Sequence, residues 1–285
     1  MAAENENVER EAPDMDDYAH ALAVTNPMRE PVIRAVIQAL ELPPGSRGLD
    51  VGCGIGLQVL LLAEAVGPAG HVTGLDLSPE FVARASRIAQ EAGLADRVSF
   101  QEGNVKDLPF DAHTFDWIWS ADCAGYRPGE PLALIWEMAR VVKPGGSVAI
   151  LMWSSQMLLP GYPLLEARLN ATAPGIAPFV HGTRPDWHYL RALGWFREVG
   201  LQECTAQTFA GTVHGPLSDD LREAVKALID MRWIGAESEV SAEDWATYQR
   251  LCQPESPDFI LNLPDYCAFF TYSLFHGKVP AGPLQ

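Results

Sequence analysis

Positive charge is scarce in this sequence. Its 285 residues carry 20 Lys and Arg against 37 Asp and Glu, a formal net charge of −17. Phosphate backbones repel such a chain, and no basic run offsets the imbalance, so nucleic acid and anionic membranes are not expected partners. Cysteine is sparse too. Cys53, Cys123, Cys204, Cys252 and Cys267 are scattered, odd in number and without a C-x-x-C pair. This argues against a disulfide framework or a metal site and predicts free thiols in a reducing cytosol. No apolar run is long enough to cross a bilayer. Residues 1–17 read as an acidic tail lacking the apolar core of a signal peptide. The expectation is a cytoplasmic protein, and no sequence feature specifies an oligomeric state.

What is present is core-forming material, 48% of the chain. That suffices for one large domain, or a domain with a substantial insertion. Apolar residues recur at helical spacing from about Tyr18 to Leu42, stopped by Pro43-Pro44-Gly45. Short apolar runs at Gly48–Val51, His71–Leu75, Arg97–Gln101, Phe115–Ser120 and Ser147–Met152 read as strands. Between them, Leu57–Val66, the stretch from Ser78 to Ala92, and Leu132–Val142 read as helices, with Ser78 as an N-cap. Lys143-Pro144-Gly145-Gly146 reads as a turn. Strands alternating with helices predict a parallel sheet covered on both faces.

After Trp153 the pattern changes. Residues 154–186 are rich in Pro and Gly and lack clean periodicity. A helix is expected over Asp186–Val199, strands over Glu203–Val213 and Asp265–Phe275, and helices within 218–251. The domain division that follows is a tail at 1–17, a ligand-binding core at 18–153, and a remainder at 154–285. Two stretches of that remainder, about 154–186 and 218–251, read as lid insertions.

Chemistry is concentrated in Asp50-Val51-Gly52-Cys53-Gly54-Ile55-Gly56, at the end of one predicted strand and the start of a helix. Glycines there let backbone turn tightly and approach a ligand. A dinucleotide fingerprint needs G-x-G-x-x-G, and its third glycine would fall at Leu57 or Val59. The spacing therefore disfavours a nicotinamide-dependent oxidoreductase and leaves room for a ligand without a pyrophosphate. A plain strand-to-helix turn is the bland alternative.

Asp76 ends the second strand, 20 residues after Gly56, where a carboxylate can accept hydrogen bonds from both hydroxyls of a ribose; capping of the helix near Ser78 is its alternative role. After the third strand, Asn104 offers an amide at the depth of an adenine edge. Leu77, Val105 and Leu108 offer apolar faces, or ordinary loop packing.

In this order, Asp50–Gly56, Asp76, Asn104-Val105 and the Val142–Gly146 turn resemble the class I S-adenosylmethionine-dependent methyltransferases, nearest to the ubiquinone/menaquinone-methyltransferase-like group of small-molecule enzymes. The motifs cover about residues 47–152. The resemblance implies an α/β, doubly wound, seven-stranded, mostly parallel sheet whose last strand is antiparallel, with helical lid insertions. It implies S-adenosyl-L-methionine as cofactor. Asp50, Gly52, Cys53, Gly54 and Gly56 would lie along its methionine part, Asp76 on the ribose with Leu77 beside it, and Asn104 and Val105 on the adenine. Many members carry Asp where this chain has Asn104. The backbone near Ser120 would bind the amino group, and Arg29, with Tyr18 on the segment before it, would meet the carboxylate from above.

Methyl transfer from a sulfonium is an in-line displacement, so the protein must hold nucleophile and methyl in line and exclude water. A base is needed only where the nucleophile must lose a proton. Asp122, His181 and His188 are the candidate catalytic groups, each also readable as an ordinary cap, surface or packing residue. Large apolar insertions suggest a bulky hydrophobic metabolite as the acceptor. A donor-binding enzyme with coupled chemistry such as cyclisation, and a non-catalytic module keeping the site, are the competing readings.

Overall fold

The computed structural model describes residues 15–123, 130–176 and 184–282. The chain opens with α1 (Met15–Ala39), then β1 (Arg47–Val51), α2 (Leu57–Val66), β2 (His71–Asp76), α3 (Pro79–Glu91), β3 (Val98–Glu102) and β4 (Phe115–Ala121). It continues through α4 (Pro131–Val141), β5 (Val142–Met157), α5 (Pro163–Asn170), α6 (Ala173–Ile176), α7 (Ala192–Glu198) and β6 (Gln202–His214). Helices α8 (Asp219–Trp233) and α9 (Ala242–Cys252) precede β7 (Cys267–Lys278).

The strands form one sheet in the order β3-β2-β1-β4-β5-β7-β6. Pairing is parallel from β3 to β5, and β7 runs antiparallel to both of its neighbours. This is the doubly wound, seven-stranded arrangement expected from the sequence. Its order reverses between β1 and β4, and ligands of open α/β sheets bind outside the carboxyl ends of the strands at such a point.

One face packs on α1, α2, α8 and α9 through Ile33, Val36, Leu62, Val225, Ile229 and Leu251. The other packs on α4 and α7 through Ile135, Met138 and Phe196. Two central tryptophans are fully buried, and both indole N–H groups are satisfied: Trp117 Nε1 donates to Ser46 Oγ and Trp119 Nε1 to Gln58 Oε1, each at 2.8 Å. Buried indoles without acceptors would cost about 1–3 kcal/mol each.

Several elements differ from their sequence expectation. Helix α1 begins at Met15 and so takes in Asp16 and Asp17, which read as tail. It runs through Pro27 and Pro31, each of which removes one helical N–H donor; burial of Met28, Val32, Ile33, Val36 and Ile37 offsets that loss. The Lys143–Gly146 turn is the head of β5. Gly145 there is left-handed at φ 79°, and a Cβ on Gly146 would press on the Asp116 carbonyl. Strand β5 also continues to Met157, so its pairing with β7 takes the first residues of the expected lid. Over 186–199 a single helix gives way to 3-10 turns at Pro185–Trp187 and Tyr189–Arg191 before α7. His188, extended at φ −68° and ψ 133°, breaks it by accepting the Leu190 N–H on its own Nδ1.

Candidate functional site

The loop Gly52–Gly56 lies at the carboxyl end of β1, at the reversal of strand order. Gly52, Gly54 and Gly56 all have positive φ, 74°, 54° and 81°. Two of them are fixed by their surroundings. A Cβ on Gly52 would overlap the Cys123 side chain just beyond β4, and one on Gly56 would come within 2.8 Å of Ala85 Cβ and 2.9 Å of Phe100 Cε1. The loop is tied to β2: the Gly52 and Cys53 N–H groups donate to the Leu75 carbonyl at 2.8 and 3.0 Å. Burial pushes the Cys53 thiol up, and Asp50 and Asp76 add to the shift, so it is an un-ionised packing group.

Two carboxyl groups flank this loop in different hydrogen-bonding surroundings. Asp76 Oδ2 accepts the Gly54 N–H at 2.9 Å and Oδ1 accepts the Ser78 N–H at 3.0 Å. Each oxygen keeps lone-pair capacity for a further donor such as a hydroxyl. Asp50 is only 2% exposed. Burial, and behind it the Asp76 charge, push its carboxyl up to about 8, and no hydrogen bond from a described residue offsets them. A bound positive charge would favour ionised Asp50, and the open lone pairs of Asp76 suit hydroxyl donors. Beside Asp76, Leu77 leaves 67% of its surface in solvent, an apolar face at the rim. Ser78 caps α3 as expected, accepting the Phe81 N–H at 3.2 Å.

Beyond β3, Asn104 is exposed, and its Oδ1 accepts the Lys106 N–H at 3.0 Å. That closes an Asx turn and leaves the amide N–H groups and one lone pair for a ligand edge. Val105 packs partly buried on the sheet's second face, while Leu108 is buried there and belongs to the core. At the end of β4, Ser120 is fully buried and its Oγ donates to the Val51 carbonyl at 3.0 Å. It braces β4 against β1.

Helix α1 roofs the loop. Leu22 Cδ1 stands 3.4 Å from where a Gly54 Cβ would be. Tyr18 stacks on Phe81 with ring centroids 6.1 Å apart, and burial, with the nearby Asp122 charge, raises its phenol above the ordinary value. Further along α1, Arg29 turns inward. Its Nη2 donates to Asp122 Oδ2 at 2.9 Å and its Nε to the Tyr272 hydroxyl at 2.6 Å. Asp122 Oδ1 also accepts the Trp153 N–H at 2.7 Å. Asp122 is left-handed at φ 48°, a conformation Asp tolerates better than most residues. Burial raises its carboxyl, while Arg29, the Trp153 N–H and the Tyr272 hydroxyl hold it down; Arg29 stays charged opposite it.

Aromatic rings and residues of α5 and α8 gather on this side. Trp153 stacks on Phe270 at 4.8 Å and meets Tyr272 edge-on at 5.3 Å. A polar chain then leads to α5 and α8: Trp153 Nε1 to Gln156 Oε1, Gln156 Nε2 to Asn170 Oδ1, and Trp233 Nε1 to the same Asn170 oxygen. The Tyr189 hydroxyl donates to the Ser154 carbonyl at 3.2 Å. Arg232 of α8 is close enough to lower both Asp122 and Tyr189.

The structure thus gathers Asp50, Gly52, Cys53, Gly54, Gly56, Asp76, Leu77, Ser120, Asp122, Tyr18 and Arg29 around one end of the sheet, with Asn104 and Val105 on the loop after β3. Arg29, expected to meet a ligand carboxylate, has a protein carboxylate as its partner. His188 is engaged in its 3-10 turn and stacks on Tyr189 at 4.4 Å. His181 lies outside the described residues. Tyr272, Trp153, Tyr189 and Arg232 were not foreseen. The Asp265–Phe275 strand was legible, but its register opposite β5, which sets Tyr272 against Trp153, has no local signal. Among the described residues, no three His, Cys, Asp or Glu side chains gather to hold a metal, and no helix is long and apolar enough to cross a membrane.

Residues 49–146 match the family described as Methyltransferase domain. A demethylmenaquinone methyltransferase from Lysinibacillus sphaericus is 38% identical over 184 residues, 60% of this chain and 76% of that one. One from Bacillus cytotoxicus is 37% identical over 129 residues, 45% of this chain and 53% of the relative, so here the match spans about half of the relative's length. Among solved structures, the YcgJ protein from Bacillus subtilis has the same fold, with a TM-score of 0.53 at 22% identity over 89% of this chain and 100% of that one.

Proposed function

Because the chain belongs to the class I S-adenosylmethionine-dependent methyltransferases, we propose that it transfers a methyl group from S-adenosylmethionine to a small hydrophobic metabolite by in-line displacement. The observation that carries this reading is the pair of carboxylates around the left-handed glycine loop. A sulfonium donor with an α-ammonium brings the positive charge that buried Asp50 lacks, and its ribose brings the hydroxyls that Asp76 can still accept. The exposed face of Leu77, with Val105 beyond it, suits one side of an adenine, and the free amide N–H groups of Asn104 suit its edge. When bound, the cofactor supplies the activated methyl group.

The chain's own part is to align and to dehydrate. Helix α1 covers the loop, and the aromatic cluster of Trp153, Phe270 and Tyr272 beside Asp122 offers apolar surface on the side where the nucleophile would be held. Relatives named demethylmenaquinone methyltransferases support a ring-bearing apolar acceptor, and the net charge of −17 supports a neutral metabolite over a nucleic acid. Asp122 accepts from Arg29 and Trp153 and so has little capacity to take a further proton; an acceptor that ionises readily needs no base. Five free cysteines suit a reducing cytoplasm.

The test is transfer of labelled methyl from S-adenosylmethionine to a panel of apolar ring compounds, demethylmenaquinone among them, beside small polar acids and amines. Label is expected in an apolar product. Label confined to the polar compounds overturns the acceptor class, and no transfer by a protein that binds the cofactor overturns the reaction.

A further inference from the structure

The Arg29–Asp122–Tyr272 cluster joins three parts of the molecule distant in sequence: the roof helix α1, the end of β4, and the middle of β7. Tyr272 is fully buried. Burial holds its phenol un-ionised, well above the ordinary tyrosine range. Its oxygen accepts from Arg29 Nε at 2.6 Å, which leaves its own proton for the Asp122 carboxylate that it helps to stabilise. The Arg29 guanidinium also lies over the Tyr272 ring, 5.7 Å from its centroid.

What this cluster controls follows from its neighbours. Along α1, Leu22 covers Gly54 and Tyr18 stands within electrostatic reach of Asp76. Along the chain from Asp122, the next residue is Cys123, whose side chain abuts Gly52. The cluster therefore grips the roof from one side and the glycine loop from the other. Arg29 and Asp122 are both largely shielded from water, with 14% and 17% of their side chains exposed, so neither finds an equal partner in solvent without the roof lifting.

We propose that Tyr272 is a positioning residue whose hydroxyl locks Arg29 to Asp122 and so holds α1 down over the bound cofactor, setting how fast cofactor and product exchange. This rests on the cofactor reading above. Tyr272 touches no reacting atom in this role; it acts through Arg29 and the roof.

The test uses the full chain and S-adenosylhomocysteine, with its dissociation rate followed by stopped-flow tryptophan fluorescence. Y272F keeps the ring and removes the lock, and is expected to raise the dissociation rate at least fivefold. D122N keeps the shape but removes the charge facing Arg29, and is expected to act in the same direction; it decides the matter if Y272F does not fold. Y266F is the control for mere loss of a buried hydroxyl bond, because the Tyr266 hydroxyl donates to the Leu158 carbonyl at 3.0 Å beneath the lid, away from α1. It is expected to lower Tm while leaving the rate within twofold of wild type. Wild type that binds while folded Y272F or D122N keeps the wild-type rate overturns the lock alone, as does Y266F raising the rate equally. Wild type that binds no S-adenosylhomocysteine overturns the cofactor reading and the lock with it.

Discussion

Asp50 and Asp76 flank the same glycine loop, but only Asp76 accepts hydrogen bonds from described residues. With its carboxyl pushed up to about 8 in the folded protein and near 3.9 when unfolded, roughly, Asp50 binds a proton between those values that the unfolded chain does not. Its contribution to stability therefore declines as pH rises through that window. Asp50→Asn is expected to remove this decline, read as a Tm that rises relative to wild type from pH 5 to pH 8. A cation at the loop prefers ionised Asp50, so S-adenosylmethionine affinity is expected to rise up to about tenfold per pH unit below 8. Calorimetry across pH checks this, and equal slopes in wild type and Asp50→Asn would assign the proton elsewhere. Asp76→Ala is expected to weaken binding by about 1.5–3 kcal/mol. At this scale the sequence was informative where residue type and position in the strand–loop–helix pattern carry the signal: the positive-φ glycines, the Ser78 cap and Asp76 at the end of β2. The Arg29–Asp122 pair spans 93 residues and has no sequence signature, since an Arg on a helix and an Asp after a strand each have many possible partners.

Elements were legible where hydrophobic period and stop signals agreed, as for α2, which runs from Leu57 to Val66 as read from its pattern. They were misread where a side chain or a neighbouring strand competes with the local tendency. His188 splits an expected helix by satisfying the backbone itself, and β5 absorbs an expected turn because β4 and β7 offer it partners. Helices α5 and α8 depend on similar long-range polar joints. Asn170 of α5 serves both Gln156 and Trp233, so Asn170→Leu leaves two buried donors without acceptors. It is expected to cost about 2–4 kcal/mol in urea unfolding, within the range for unsatisfied buried groups. A loss under about 0.5 kcal/mol would mean that water takes over both bonds. Gly52→Ala introduces a Cβ into Cys123 at a left-handed position and is expected to abolish cofactor binding in a chain that still folds, measured by calorimetry beside circular dichroism.

For the whole molecule, the sheet's class and the antiparallel final strand followed from alternation of elements and from family likeness, because both depend on order along the chain. The aromatic cluster beside Asp122 did not, because it is made by residues of β5 and β7 whose meeting depends on register. A net charge of −17 repels itself in the folded state, and added salt screens that repulsion. Tm is expected to rise by a few degrees between roughly 20 and 200 mM NaCl at constant pH. A falling Tm would mean that attractive pairs such as Arg168–Asp244 outweigh the repulsion. The position of β7 has one more consequence. It follows β6 in the chain, yet it sits inside the sheet between β5 and β6. During synthesis the parallel half, β1 to β5, can assemble on the ribosome, while β6 waits at the edge of a gap. Only when residues 267–278 clear the exit tunnel can the gap fill and Tyr272 reach Arg29, so a nascent chain would acquire its closed roof well after the glycine loop already exists.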